Sequence, residues 1–110
     1  MHPGHLPTVG ATEVPDGVTI LDVREDDEWE AGHVAGSAHV PLSALPARAG
    51  DIPDDGPLLV VCKVGGRSAQ VTAWLRGQGR EATNLAGGLQ AWEAAGRPLV
   101  TDTGTPGTVL

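Results

Sequence analysis

The stretch "PLLVVCKVGGRSAQ", residues 57–70, decides the fold. Leu58 to Cys62 is a short, continuously apolar run, the pattern of a parallel strand covered on both faces. Behind it "KVGG" turns the chain. "RSAQVTAWLRGQG" then places Val71, Trp74 and Leu75 at helical spacing, with Gly77 and Gly79 to end the helix. A strand that passes through a glycine-rich turn into a helix is half of a parallel α/β unit.

Working outward, the same alternation recurs. Upstream, "VTILDV" (18–23) reads as a buried strand. "DDEWEAGHV" follows as a short helix with acids in its first turn and Gly32 as its stop. "SAHVPL" is a short extended piece, and Pro41 keeps it from continuing as a central strand. "LSALPARAG" offers a helical turn or two, disturbed by Pro46. Downstream, "EATNLAGG" is a last strand and turn. "LQAWEAAG" is a final helix, with Leu89 and Trp92 on one side and Gly96 as stop. Strand and helix taking turns predict an α/β fold around a mostly parallel sheet.

At 110 residues the chain has room for one domain with a real core and no second one. Phe and Tyr are absent and there are three Trp, so the core must be Val, Leu, Ile and Ala plus inward-turned indoles. Glycine, proline and threonine crowd both ends. The expected organisation is a loose N-terminus over 1–7, a folded domain over 8–100 and a loose tail over 101–110. The net charge of −7, with acids concentrated in "REDDEWE", argues against a nucleic-acid surface. A single cysteine cannot close an internal disulfide, which suits a reducing compartment. No signal-peptide pattern and no membrane-length apolar run is present, so a cytoplasmic protein without membrane attachment is expected. His2 and His5 in "HPGH" have no further ligands nearby, and no metal site is expected there.

Cys62 stands at the carboxyl end of the most buried strand, where open α/β sheets bind their ligands. Gly65 and Gly66 free the backbone to turn its N–H groups around one point. A helix beginning near Arg67 or Ser68 adds unpaired donors and partial positive charge, and Lys63 and Arg67 add whole charges. Together, residues 63–68 (Lys63, Val64, Gly65, Gly66, Arg67, Ser68) form a cradle for an anion with a thiol at its floor. Two blander readings stay open on the residues alone. A cysteine at a strand end also serves as a small buried hydrophobe, and a glycine-rich strand-to-helix turn also binds phosphate.

"CKVGGRS" resembles the active-site loop of single-domain rhodaneses, often C-x-x-G-x-R-S, with Cys62, Gly65, Arg67 and Ser68 on the defined positions. "LDVREDDEWEAGHVAGSAHVPL" and "NLAGGLQAWEAAGRPL" are similar to that family's upstream and downstream motifs. The three together span about Ile20 to Val100. The resemblance implies a three-layer α/β/α fold around a five-stranded, mostly parallel sheet, and a cysteine that carries sulfur as a persulfide without a cofactor. It also implies a choice of chemistry. The family's sulfurtransferases have four residues between Cys and Arg, as Lys63 to Gly66 do here, while the related phosphatases and arsenate reductases have five. The expected reaction moves sulfur from thiosulfate or a related small donor through Cys62 to cyanide or a thiol.

Within that expectation, Lys63 and Arg67 serve donor capture and the loop N–H groups hold the bound sulfur. Ser68 either donates to the thiolate or caps its helix. Asp22 and Arg24 are expected as a supporting ion pair or loop brace, His33 as a hydrogen-bonded structural residue, and Trp29 and Trp92 as packing. Two alternatives use the same residues: a persulfide carrier charged by a partner protein, and a redox- or sulfide-sensing interaction module. One Lys beside six Arg, with abundant Ala and Gly, suggests a GC-rich bacterial genome.

Overall fold

A computed structural model describes residues 6–110, so His2 and His5 lie outside the described residues. The strands are β1 (Thr8–Val9), β2 (Thr19–Asp22), β3 (Ala38–His39), β4 (Leu58–Val61) and β5 (Ala82–Leu85). The helices are α1 (Asp26–Ala31), α2 (Gly66–Gly77) and α3 (Gly88–Ala94). Short 3-10 turns lie at Ala11–Glu13, Leu42–Ala44 and Ala49–Asp51. All five strands join one sheet in the order β1-β5-β4-β2-β3, and every pairing is parallel. The sheet is thus the α/β arrangement that the strand–helix alternation predicts.

The unbroken apolar run of β4 hides a period of two. Leu58, Val60 and Cys62 enter one core, with Val71 and Leu75 of α2, Leu21 and Val23. Leu59 and Val61 enter the other, with Ile20, Leu85, and Leu89 and Trp92 of α3. Alternate residues of a strand point to opposite faces, so helices on both sides of the sheet demand apolar residues at every position. Cys62 continues the α2-side row one step past the strand's end. That step leaves it in the core, directly beneath the rim where the connecting loops gather.

The last ten residues, loose by composition, run back across the fold. Val100 bridges His33 and Pro106, and the Thr108 N–H donates to the Ala31 carbonyl at 3.0 Å. Gly32 permits this passage: a Cβ there would stand 2.7 Å from the Thr108 carbonyl oxygen. Val109 packs against the α3-side core.

Candidate active site

Backbone and hydroxyl groups converge on Cys62 Sγ. The Gly65 N–H donates to it at 3.1 Å and the Ser68 N–H at 3.3 Å, while Ser68 Oγ stands 3.2 Å away. The local sequence makes this possible. Gly65 takes φ +110°, a region that side chains resist, and so turns the loop into the first residue of α2, Gly66. Ser68 is therefore the third residue of the helix rather than its cap, and its hydroxyl faces the sulfur. Burial pushes the Cys62 thiol up, but the hydrogen bonds from the Ser68 hydroxyl and N–H and from the Gly65 and Val64 N–H groups outweigh it. The net displacement is below the ordinary value of 9.0. Cys62 is only 1% exposed, so the sulfur lies at the floor of the loop.

The loop is held at its root by the third motif. The Leu89 and Gln90 N–H groups, in the first turn of α3, donate to the Cys62 and Lys63 carbonyls at 2.8 and 3.0 Å. "GG" in "NLAGG" follows from that approach. Gly88 has φ +61°, and a Cβ on it would fall 2.6 Å from the Cys62 carbonyl oxygen and into the Lys63 carbonyl.

The two cations of the loop differ. Arg67 faces Glu28 of α1 in a two-pronged pair, Nη1 to Oε1 at 2.6 Å and Nη2 to Oε2 at 2.8 Å. The Arg67 hydrogen bond, partly opposed by burial, lowers the Glu28 carboxyl from 4.5 to about 2, and the same bond raises Arg67. Arg67, expected to capture a donor, thus enters the site already bound by a carboxylate. Lys63 makes no ion pair among the described residues and is the loop's uncommitted cation.

Asp22 and Arg24 do not reach the sulfur. They form a pair with both side chains 0% exposed, Nη2 to Oδ2 at 2.8 Å. Arg24 also donates to the carbonyls of Glu28 at 3.1 Å and Gly32 at 2.7 Å. A buried guanidinium on the last carbonyls of α1 fixes that helix, and with it the carboxylate that meets Arg67. His33 bonds the Trp29 carbonyl through Nδ1 at 2.9 Å, and its ring stacks on Trp29 at 3.6 Å. His39 stacks on the indole's other face at 4.6 Å. Trp92 lies buried against α3's core, its Nε1–H donating to the Pro98 carbonyl at 3.1 Å. Among the described residues no cluster of His, Cys, Asp and Glu is suited to a metal ion.

The family model described as a rhodanese-like domain matches residues 11–95, which include this loop and its supports. The chain belongs to the rhodanese-like domain family. A protein named sulfurtransferase from Allochromatium vinosum is 33% identical over 90 residues, covering 81% of this chain and 84% of the relative. The thiosulfate sulfurtransferase GlpE of Ectopseudomonas mendocina is 34% identical over 80 residues, covering 72% of this chain and 73% of its own. The crystal structure of a rhodanese-related protein from Thermoplasma volcanium superposes with a TM-score of 0.80 at 31% identity. It covers 86% of this chain and 97% of that one. Three-layer α/β/α architecture and five-stranded sheet are thus those of a rhodanese-like domain.

Two polar residues of this rhodanese-like site escape the sequence reading. Glu28 reads there as one more acid on a solvated helix start, since its partner is 39 residues away. Asn84 reads as an ordinary strand residue, yet its Oδ1 accepts the Ser68 hydroxyl at 2.6 Å.

Proposed function

We propose that this rhodanese-like domain is a sulfurtransferase that moves sulfane sulfur from thiosulfate to a thiophilic acceptor through a Cys62 persulfide. The observation that carries the reading is the convergence of two N–H groups and a hydroxyl on one sulfur within a loop of four residues between Cys62 and Arg67. The lowered thiol favours the thiolate, the form that attacks. The thiolate attacks the outer sulfur of thiosulfate, the sulfur–sulfur bond breaks, and sulfite leaves with the electron pair. The anionic terminal sulfur then occupies the bowl lined by loop N–H groups. Cyanide, or a thiolate, attacks that sulfur and Cys62 departs as thiolate, restoring the start. No proton or external electron enters either step. This is covalent, two-stroke catalysis.

Lys63 is the residue best suited to draw in the donor dianion, because Arg67 is committed to Glu28. The small bowl favours a single terminal sulfur over a tetrahedral phosphate. A lone thiol of this kind suits a reducing cytoplasm. The test is steady-state thiocyanate release from thiosulfate and cyanide. Parallel lines in double-reciprocal plots, and no turnover in Cys62→Ser, are expected. Intersecting lines, or turnover that survives the substitution, contradict the reading.

A further inference from the structure

Glu28 is held from two sides. Its Oε1 accepts Arg67 Nη1 at 2.6 Å and the Glu25 N–H at 3.1 Å, and its Oε2 accepts Arg67 Nη2 at 2.8 Å. The Glu25 bond is half of a capping box, so the first turn of α1 fixes the carboxylate from behind. Arg24 fixes that helix in turn, through the Glu28 carbonyl at 3.1 Å. The side chains of the pair are 15% exposed for Glu28 and 32% for Arg67, so water reaches it only in part. With its carboxyl lowered from 4.5 to about 2, Glu28 is fully charged at neutral pH.

An arginine in the first turn of α2, beside the Cys62 cradle, is the residue best shaped to grip a tetrahedral oxyanion. Its two parallel N–H groups match two oxygens at once. Here both arms are taken by Glu28. The other edge of the guanidinium, through Nε, makes no hydrogen bond among the described residues, but an oxyanion arriving there meets a positive charge that Glu28 cancels. Glu25 acts on Arg67 in the same sense. Lys63, in no ion pair among the described residues, is left to face the anion.

We propose that Glu28 is a specificity-determining positioning residue: by holding Arg67 it keeps tetrahedral oxyanions without sulfane sulfur, inorganic phosphate above all, from occupying the cradle over Cys62. Thiosulfate is captured all the same, since its outer sulfur forms a bond to Cys62 as sulfite leaves. Phosphate has only the rim, and there it finds Lys63 alone. The same restraint lets the product sulfite go. The role of Glu28 rests on the proposed function only in that the loop after β4 is where the donor enters.

The test is a titration with inorganic phosphate at constant ionic strength, followed by the amide signals of Gly65 and Ser68. Wild type, Glu28→Gln, and Glu28→Gln combined with Arg67→Lys are compared. A carboxamide carries no charge and presents one acceptor and one donor, so it cannot hold both arms of Arg67. Glu28→Gln should bind phosphate about tenfold or more tighter than wild type. A residue that only braced α1 would loosen the loop on removal and bring no gain. Lysine keeps the charge but lacks the fork, so most of the gain should vanish in the double variant. Equal affinity in wild type and Glu28→Gln overturns the proposal. So does a gain as large in the double variant, which would assign the effect to charge alone. Should Glu28→Gln fail to fold, Glu28→Asp replaces it. Its carboxylate is one methylene short of the fork, and a smaller gain that still needs Arg67 is expected; no gain overturns the proposal equally. No sulfur donor enters the titration, so failure here leaves the sulfurtransfer reading to its own test.

Discussion

Two neighbouring strands, β2 and β4, end side by side in the sheet and deliver their polar residues to the same rim, with opposite results. At the end of β2, Asp22 and Arg24 pair and Arg24 donates to the carbonyls of Glu28 and Gly32, so both charged groups are taken up within the fold. After β4, the loop aims its donors at a single sulfur, a weak acceptor while protonated and a strong one when ionised. One cluster is complete and the other is completed only by chemistry. The Glu28–Arg67 pair joins them, because Arg24 fixes α1 and α1 presents the carboxylate. A buried, fully paired charge cluster marks scaffold, and converging donors on a reactive atom mark a site.

The comparison breaks most visibly at Arg24. Arg24→Ala leaves Asp22 buried and unpaired, and should lower unfolding free energy by about 3–5 kcal/mol in a denaturant titration. A loss under about 1 kcal/mol would mean that the β2 cluster is not scaffold. Gly88→Ala probes the root of the β4 loop. The side chain meets the Cys62 and Lys63 carbonyls in a positive-φ backbone, so it should cost about 1–3 kcal/mol. Displacement of the sulfur should also cut turnover roughly tenfold or more. A variant as stable and as active as wild type removes α3's grip on the loop from the account.

The smallest effect is expected at the joint. Glu28→Gln, compared with wild type at pH 7, should lose about 1 kcal/mol, as befits a partly exposed pair. The sign with pH follows from the carboxyl's displacement from 4.5 to about 2 in the fold. The contribution is full above about pH 4.5 and is lost as pH falls toward about 2. Wild type and variant should therefore converge in acid. A difference that persists at pH 2 would assign the loss to packing rather than to the ion pair.

Much of this is legible in the sequence. β4 carries its apolar run openly and β2 most of one, and the turn at Gly65 and Gly66 announces itself between strand and helix. β1 was not legible, because Thr8 and Val9 are too few to show a pattern and take their strand state from the edge of β5. The return of the C-terminal segment was equally hidden: Gly, Thr and Pro predict looseness, whereas Gly32 and Gly107 lie backbone against backbone with no room for a Cβ on either. At the site, Cys62 and its loop were readable because chain neighbours build them. Glu28 and Asn84 were not, since each meets its partner across the sheet rim, and nothing in an acid on a helix or an amide in a strand marks such a meeting.

The central claim is that the loop after β4 makes Cys62 a carrier of sulfur. Intact-mass measurement after incubation with thiosulfate tests it most directly, on wild type and Cys62→Ser. The account predicts a gain of one sulfur atom in wild type, removed by cyanide, and no gain in the variant. A wild-type mass that thiosulfate leaves unchanged would contradict transfer from this donor and turn attention to delivery of persulfide by a partner protein.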